Sequence, residues 1–256
     1  MRVALFVPCY VDQLRPTVGL ATLALLEAVG CEVAYPEEQT CCGQPFATAG
    51  EPRRAAALGR RFVEVFEAFD AIVAPSGSCV ATLRHGLPRW SPDPRAHAVA
   101  ARTRELCELL GDPATRPLPR GRYPHRVGIH ASCHALRELR LGSPSESREP
   151  PRPDPARRLL SGLEGLELVE PARRDECCGF GGVFAIEQEA VSARMGLDRL
   201  TDHQRAGAEV IVSTDVSCLL QLEGVARRHG HPQRFLHVAE VLAAACGLDG
   251  DAGRAS

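Results

Sequence analysis

The stretch Cys177-Cys178-Gly179-Phe180-Gly181-Gly182 places two adjacent cysteines directly before a glycine-rich turn, and the same triplet occurs earlier as Cys41-Cys42-Gly43. Vicinal thiols on tightly turned backbone suit a metal or a cluster, because thiolates are soft ligands and glycine lets backbone approach closely. Each triplet lies between two further cysteines, Cys9 and Cys79 around the first, Cys133 and Cys218 around the second. Eight of the eleven cysteines thus fall into two similar sets of four. The separation of corresponding cysteines grows from 124 residues (Cys9 to Cys133) to 136 (Cys41 to Cys177) and 139 (Cys79 to Cys218). Ser143 to Pro155, rich in proline and charge, reads as the exposed loop that accounts for most of this growth.

Working outward from the cysteines, short β-rich apolar runs precede them. Arg2 to Pro8 reads as a buried parallel strand with Cys9 at its carboxyl end. A helix is expected from Pro16 to Val29, closed by Gly30, then a strand from Cys31 to Tyr35. After the first pair come a helix from about Pro52 to Phe69 and a strand from Ala71 to Ala74. Ser76 and Gly77 then cap a helix that holds Cys79 near its amide-rich start, a setting that favours thiolate. The order repeats with strands at Arg126 to Ile129, Leu166 to Val169 and Val210 to Ser213, and a helix from about Glu187 to Ala206. Cys133 lies just past the first of these strands, and Cys218 at the helix start that follows the last. Such alternation implies an α/β fold of two tandem Rossmann-like halves with mostly parallel sheets and right-handed crossovers. The halves are expected at residues 1–115 and 124–256, joined by the proline-rich Pro113 to Pro124. Ligands in such sheets gather outside the carboxyl ends of strands, where Cys9, Cys79, Cys133 and Cys218 all fall.

The bulk composition excludes several classes. A formal net charge of -2 over 256 residues argues against a nucleic-acid partner. The longest apolar candidate, Gly19 to Gly30, carries Glu27 and is far shorter than the roughly 20 residues of a membrane span, so no transmembrane segment is expected. Met1 to Pro8 reads as a strand rather than a secretory leader, which points to a reducing, cytoplasmic setting where many cysteines mean cofactor or redox chemistry. No Ser-His-Asp order, paired carboxylates or H-E-x-x-H helix appears, so no catalytic residue is assigned.

Other readings of the cysteines stay open at this point. Four cysteines also satisfy a tetrahedral zinc site, although structural zinc sites usually show Cys-x-x-Cys knuckles rather than an adjacent pair. A vicinal disulfide at Cys41–Cys42 or Cys177–Cys178 is a strained alternative. Cys31, Cys107 and Cys246 read as ordinary small apolar residues. Cys107 and Cys246 share the 139-residue offset of Cys79 and Cys218, but their helices align better by matching Glu105 with Glu240. His130 and His134 flank Cys133 and read as hydrogen-bond partners of a cluster sulfur rather than as ligands, while His85 and His203 read as surface residues. Gly179 to Gly182 lack the spacing of a dinucleotide fingerprint and are expected to pack backbone closely around the second pair.

The segments PCYVDQLRP, TCCGQPFA, APSGSCVATLRH, HASCHALREL, ECCGFGGVFAIEQEAVSARM and VSTDVSCLLQLEG, spread from Pro8 to Gly224, carry a resemblance. They look like the cysteine-rich CCG domains of heterodisulfide reductase B and anaerobic glycerol-3-phosphate dehydrogenase C subunits, and more closely resemble the lactate utilization protein A family. The resemblance implies an iron–sulfur electron-transfer subunit of an L-lactate-oxidising complex, an oxidoreductase system. It implies one or two clusters of 4Fe-4S type held by Cys9, Cys41, Cys42, Cys79, Cys133, Cys177, Cys178 and Cys218. It further implies two partner subunits, a ferredoxin-like iron–sulfur subunit and a third. The wider CCG motif has a fifth cysteine in each half, and here Ser76 and Asp215 stand in its place. Four thiolates per half remain, enough for one ordinary cluster. Asp215 is read as a helix cap rather than a ligand. The alternatives are a subunit of a heterodisulfide- or quinone-linked reductase, and a zinc-stabilised scaffold without redox role.

Overall fold

The computed structural model describes residues 1–248, so residues 249–256 of the second expected half lie outside the described residues. The first half runs β1 (Arg2–Leu5), α1 (Cys9–Leu14), α2 (Pro16–Ala28), β2 (Glu32–Ala34), α3 (Gln44–Thr48), α4 (Pro52–Phe66), β3 (Ala71–Ala74), α5 (Gly77–Trp90), α6 (Pro94–Arg102), β4 (Thr103–Glu105) and α7 (Leu106–Leu110). The second runs β5 (Arg126–Ile129), a π-helical turn (His134–Glu138), α8 (Pro155–Ser161), β6 (Glu167–Val169), α9 (Phe184–Glu187), α10 (Glu189–Arg205), β7 (Val210–Ser213), α11 (Val216–His229), β8 (Arg234–His237) and α12 (Val238–Ala245). Prolines open α2, α4, α6 and α8, where the missing N–H has no helical partner to lose. Among the described residues no helix is long and apolar enough to cross a membrane.

Two four-stranded sheets result, ordered β2-β1-β3-β4 and β6-β5-β7-β8, and every pairing is parallel. The registers correspond, with Val3 opposite Ala71 in the first sheet and Val127 opposite Val210 in the second. In each sheet the strand order reverses between the first and third strands, β1 with β3 and β5 with β7. That reversal opens a crevice at the strands' carboxyl ends, the usual ligand position in such sheets.

The alternation of side chains along a strand divides the core. Val3, Leu5, Val73, Val127, Val210 and Val212 point into one shared layer with α2 and α12, so the two halves have a common hydrophobic core. Ala4, Phe6, Ile72 and Ala74 point the other way, onto Phe62, Phe66 and Leu83 of α4 and α5. Packed between its own sheet and α12, α2 has Glu27 as its one charged residue, as a largely covered helix requires.

Several sequence expectations change here. The edge strands β4 and β8 were not expected, because Thr-Arg-Glu and Arg-Phe-Leu-His are short and carry charge. The helix expected from Glu187 to Ala206 is interrupted at Gln188, which separates α9 from α10. Pairing Glu105 with Glu240 is off by three residues. Glu105 and His237 are the equivalent caps of α7 and α12, and Glu108 and Glu240 complete their capping boxes. Cys107 therefore has no counterpart in Cys246, as the ordinary reading of both required. Cys107 is buried in the shared core, and Cys246 ends α12 with its thiol donating to the Pro119 carbonyl.

Asp215 sits at the start of α11 but makes no side-chain bond to its own helix. Its Oδ1 accepts from Ser76 Oγ at 2.9 Å, Ser78 Oγ at 2.7 Å and the Ser78 N–H at 3.0 Å. It thus caps α5 of the other half, beside a Gly77 N–H that donates to the Thr214 carbonyl at 3.3 Å. Ser76 and Asp215, the two departures from the five-cysteine motif, bond to each other. Removing this buried acceptor strands three donors, so Asp215→Ala should lose about 3 kcal/mol of stability. Thermal unfolding should then fall by roughly 6 to 12 °C. Asp215→Asn, keeping one acceptor oxygen, should lose clearly less; equal melting of both variants and wild type would contradict the role.

Candidate iron–sulfur or metal centre

Each cysteine of the two sets is placed by the end of an element. Cys9 opens α1 directly after β1, and Cys79 lies in the first turn of α5, whose cap Ser76 accepts from the Cys79 N–H at 3.3 Å. Cys41 and Cys42 precede Gly43, whose φ of +88° turns the chain into α3. In the second half Cys133 precedes the π-helical turn, Cys218 lies in the first turn of α11, and Gly179 follows the pair with φ +86°. A Cβ on Gly179 would meet the Ser192 carbonyl oxygen at 2.5 Å, so α10 packs against bare backbone there. This is the close packing expected for the glycine run.

The eight sulfurs line one cavity of about 280 Å³ between the halves. All eleven cysteines are free thiols, including both vicinal pairs. In the first set Cys42 Sγ lies 3.3 Å from Cys79 Sγ, and the Gly43 N–H donates to Cys41 Sγ at 3.4 Å. Hydrogen bonds from Cys42 and then Cys9 hold the Cys41 pKa down to about 3, and the same bonds push Cys9 and Cys42 up. The second set repeats the scheme. Hydrogen bonds from Cys133 and then Cys178, with the Gly179 N–H at 3.3 Å, bring Cys177 down to about 2, while Cys133 and Cys178 are raised. In each set one sulfur of the vicinal pair is thus held toward thiolate while its hydrogen-bonded cysteine partners are pushed toward thiol, a state that a bound cation would convert into ligands.

Polar neighbours differ between the sets. His130, directly after β5, is 1% exposed; one of its ring nitrogens and the sulfurs of Cys178 and Cys218 lie within 4.8 Å of one another. Its Nδ1 accepts from Arg199 Nε at 3.2 Å, and its Nε2 is buried without a partner. Burial, then the Arg199 charge, hold the His130 pKa down to about 3. His134 is partly buried at the cavity wall, 3.3 Å from Gln44 of the other half. His85 is exposed as expected, but His203 is not a surface residue: it is 0% exposed, on the inner face of α10 beside Arg199. A histidine in a helix rich in charge reads as outward-facing, and only the alignment of α10 with α4 reveals its position. Arg199, also fully buried, escaped the sequence reading for the same reason.

The donor chemistry fits an iron–sulfur or metal group. Four soft sulfurs of each set line the cavity, glycine carries the backbone past them, and a buried imidazole nitrogen at the second set lacks a partner. At the cavity mouth Tyr10 and Phe180 meet edge to face across the halves, their ring centroids 5.9 Å apart.

Comparison with known proteins agrees with this architecture. The family model described as a cysteine-rich CCG domain matches twice, at residues 3–84 and 127–223. The chain is 39% identical over 249 residues to the lactate utilization protein A of an Exiguobacterium strain, covering 94% of this chain and 96% of that protein. It is 37% identical to the protein of the same name from Geobacillus kaustophilus, covering 94% and 98%. A crystal structure of a hypothetical protein from Helicobacter pylori superposes with a TM-score of 0.62 at 8% identity, a likeness of fold alone, and this chain spans 49% of that protein's length. With its twofold match to the CCG model and these full-length relatives, the chain belongs to the lactate utilization protein A family.

Proposed function

We propose that the chain is an iron–sulfur electron-transfer subunit of an L-lactate-oxidising system, acting with a ferredoxin-like iron–sulfur subunit and a third subunit. The observation that carries the reading is the convergence of two four-thiol sets on one cavity at the carboxyl ends of β1, β3, β5 and β7. The names of the relatives supply the lactate system. Cys9, Cys41, Cys42 and Cys79 would hold one cluster and Cys133, Cys177, Cys178 and Cys218 a second, of 4Fe-4S type. A bound cluster supplies one-electron acceptance and release.

The remaining work falls to the protein. Hydrogen bonds and the Gly43 and Gly179 amides stabilise Cys41 and Cys177 as thiolates, so each set has one ligand ready. Cys79 and Cys218 lie in the first turns of α5 and α11, the positive ends of those helices, a position that offsets the negative charge of a thiolate set. Burial of Cys42, Cys79 and Cys178 keeps water from the inner side of each set. Asp215 is engaged by Ser76 and Ser78, so it stabilises the junction between the sets rather than adding a fifth donor.

Protein isolated without oxygen should contain iron and acid-labile sulfide, lose both in air, and be reduced by lactate when the partner subunits are present. Stoichiometric zinc without iron would overturn the reading in favour of a scaffold. Cys178→Ser, which replaces a soft ligand by a hard one, should cut iron to about half of wild type. Full iron content in that variant would remove this pair from the ligand set. The described residues offer no acid–base constellation for lactate, so the isolated chain should not oxidise it; turnover by the single subunit would contradict the assignment.

A further inference from the structure

The two halves follow one plan, and one cluster of three core positions changes from aromatic to basic between them. Phe6 and His130 share the 124-residue offset of Cys9 and Cys133, and both continue their strands, the Phe6 N–H donating to Val73 and the His130 N–H to Val212. On the facing helices Gly59, Phe62 and Phe66 of α4 correspond to Gly196, Arg199 and His203 of α10, each 137 residues on. In the first half Phe6 packs edge to face on Phe62 and Phe66, with centroids 5.1 and 5.8 Å apart. In the second half the same three places hold His130, Arg199 and His203, all of them buried. A buried cation is costly unless it is paired and hydrogen-bonded. Arg199 meets that condition through Asp202 at 3.4 Å and the carbonyls of Ile129, Arg173 and Arg174.

This arrangement fixes the tautomer of His130. Arg199 can only donate, so its Nε–H occupies the Nδ1 lone pair and the ring proton resides on Nε2. That Nε2–H is a buried donor left without a partner, on a ring one of whose nitrogens lies within 4.8 Å of the Cys178 and Cys218 sulfurs. An imidazole that already accepts from a guanidinium is polarised into a stronger donor. Phe6 offers the first set no such group.

Resting on the iron–sulfur reading above, we propose that His130 donates an Nε2–H hydrogen bond to sulfur of the second cluster, making that cluster easier to reduce than the first. Hydrogen bonds to sulfur stabilise the more negative, reduced state. Electrons entering at the first site would then pass to the second, the first being oxidised as the second is reduced.

The test is a redox titration of the anaerobically prepared full chain, followed by electron paramagnetic resonance. Wild type should show two reduction steps. His130→Phe, which copies the first half, should move the higher step to lower potential and leave the other in place, and His130→Gln, which retains a donor, should restore most of the difference. Selective nitrogen-15 labelling of histidine should give a weak coupling on the second cluster in the wild-type protein. Iron at wild-type content with both potentials unchanged in His130→Phe would overturn this inference alone, as would the strong coupling of a ligated nitrogen. Absence of iron from wild type would instead overturn the reading on which it rests.

Discussion

The bond from Asp215 across to Ser76 and Ser78 is the constraint from which the site follows. Two crevices, one at the carboxyl ends of each sheet, would by themselves be separate pockets. A carboxylate at the start of α11 that caps α5 draws the two helix starts together, and with them Cys79 and Cys218. The shared core of α2, α12 and both sheets holds the same arrangement from behind. The result is one cavity walled by two thiol sets in place of two independent sites.

Bringing eight thiols into a half-buried space creates an electrostatic problem, since burial disfavours each thiolate. The protein meets it with hydrogen bonds. One sulfur of each vicinal pair collects thiol and amide donors that hold it toward thiolate, and its hydrogen-bonded cysteine partners are pushed the other way. Glycine is required directly after the pair because any side chain on Gly179 would strike the backbone of α10. The repeated Cys-Cys-Gly triplet is thus a consequence of geometry as well as of ligand chemistry.

Much of this was legible in the chain, for identifiable reasons. Ala71–Ala74, Arg126–Ile129 and Val210–Ser213 are short β-rich runs between turn signals, and each forms the strand expected of it. Spacing alone grouped the cysteines, since the cysteine offsets drift slowly and in one direction along the chain. The sequence concealed what depends on contact between halves. Asp215 looked like a cap for the helix it precedes, and nothing local says that it caps the other half's helix. His203 looked exposed, and Arg199 drew no reading, because polar residues on a charged helix usually face solvent. Their burial shows only when α10 is laid on α4 and the aromatic trio of the first half emerges as its counterpart.

The central claim, that each thiol set holds iron, is tested most directly by anomalous diffraction at the iron absorption edge from crystals grown without oxygen. The account predicts two anomalous peaks, one among Cys9, Cys41, Cys42 and Cys79 and one among Cys133, Cys177, Cys178 and Cys218. Peaks that appear only at the zinc edge, or iron density away from both sets, would contradict it.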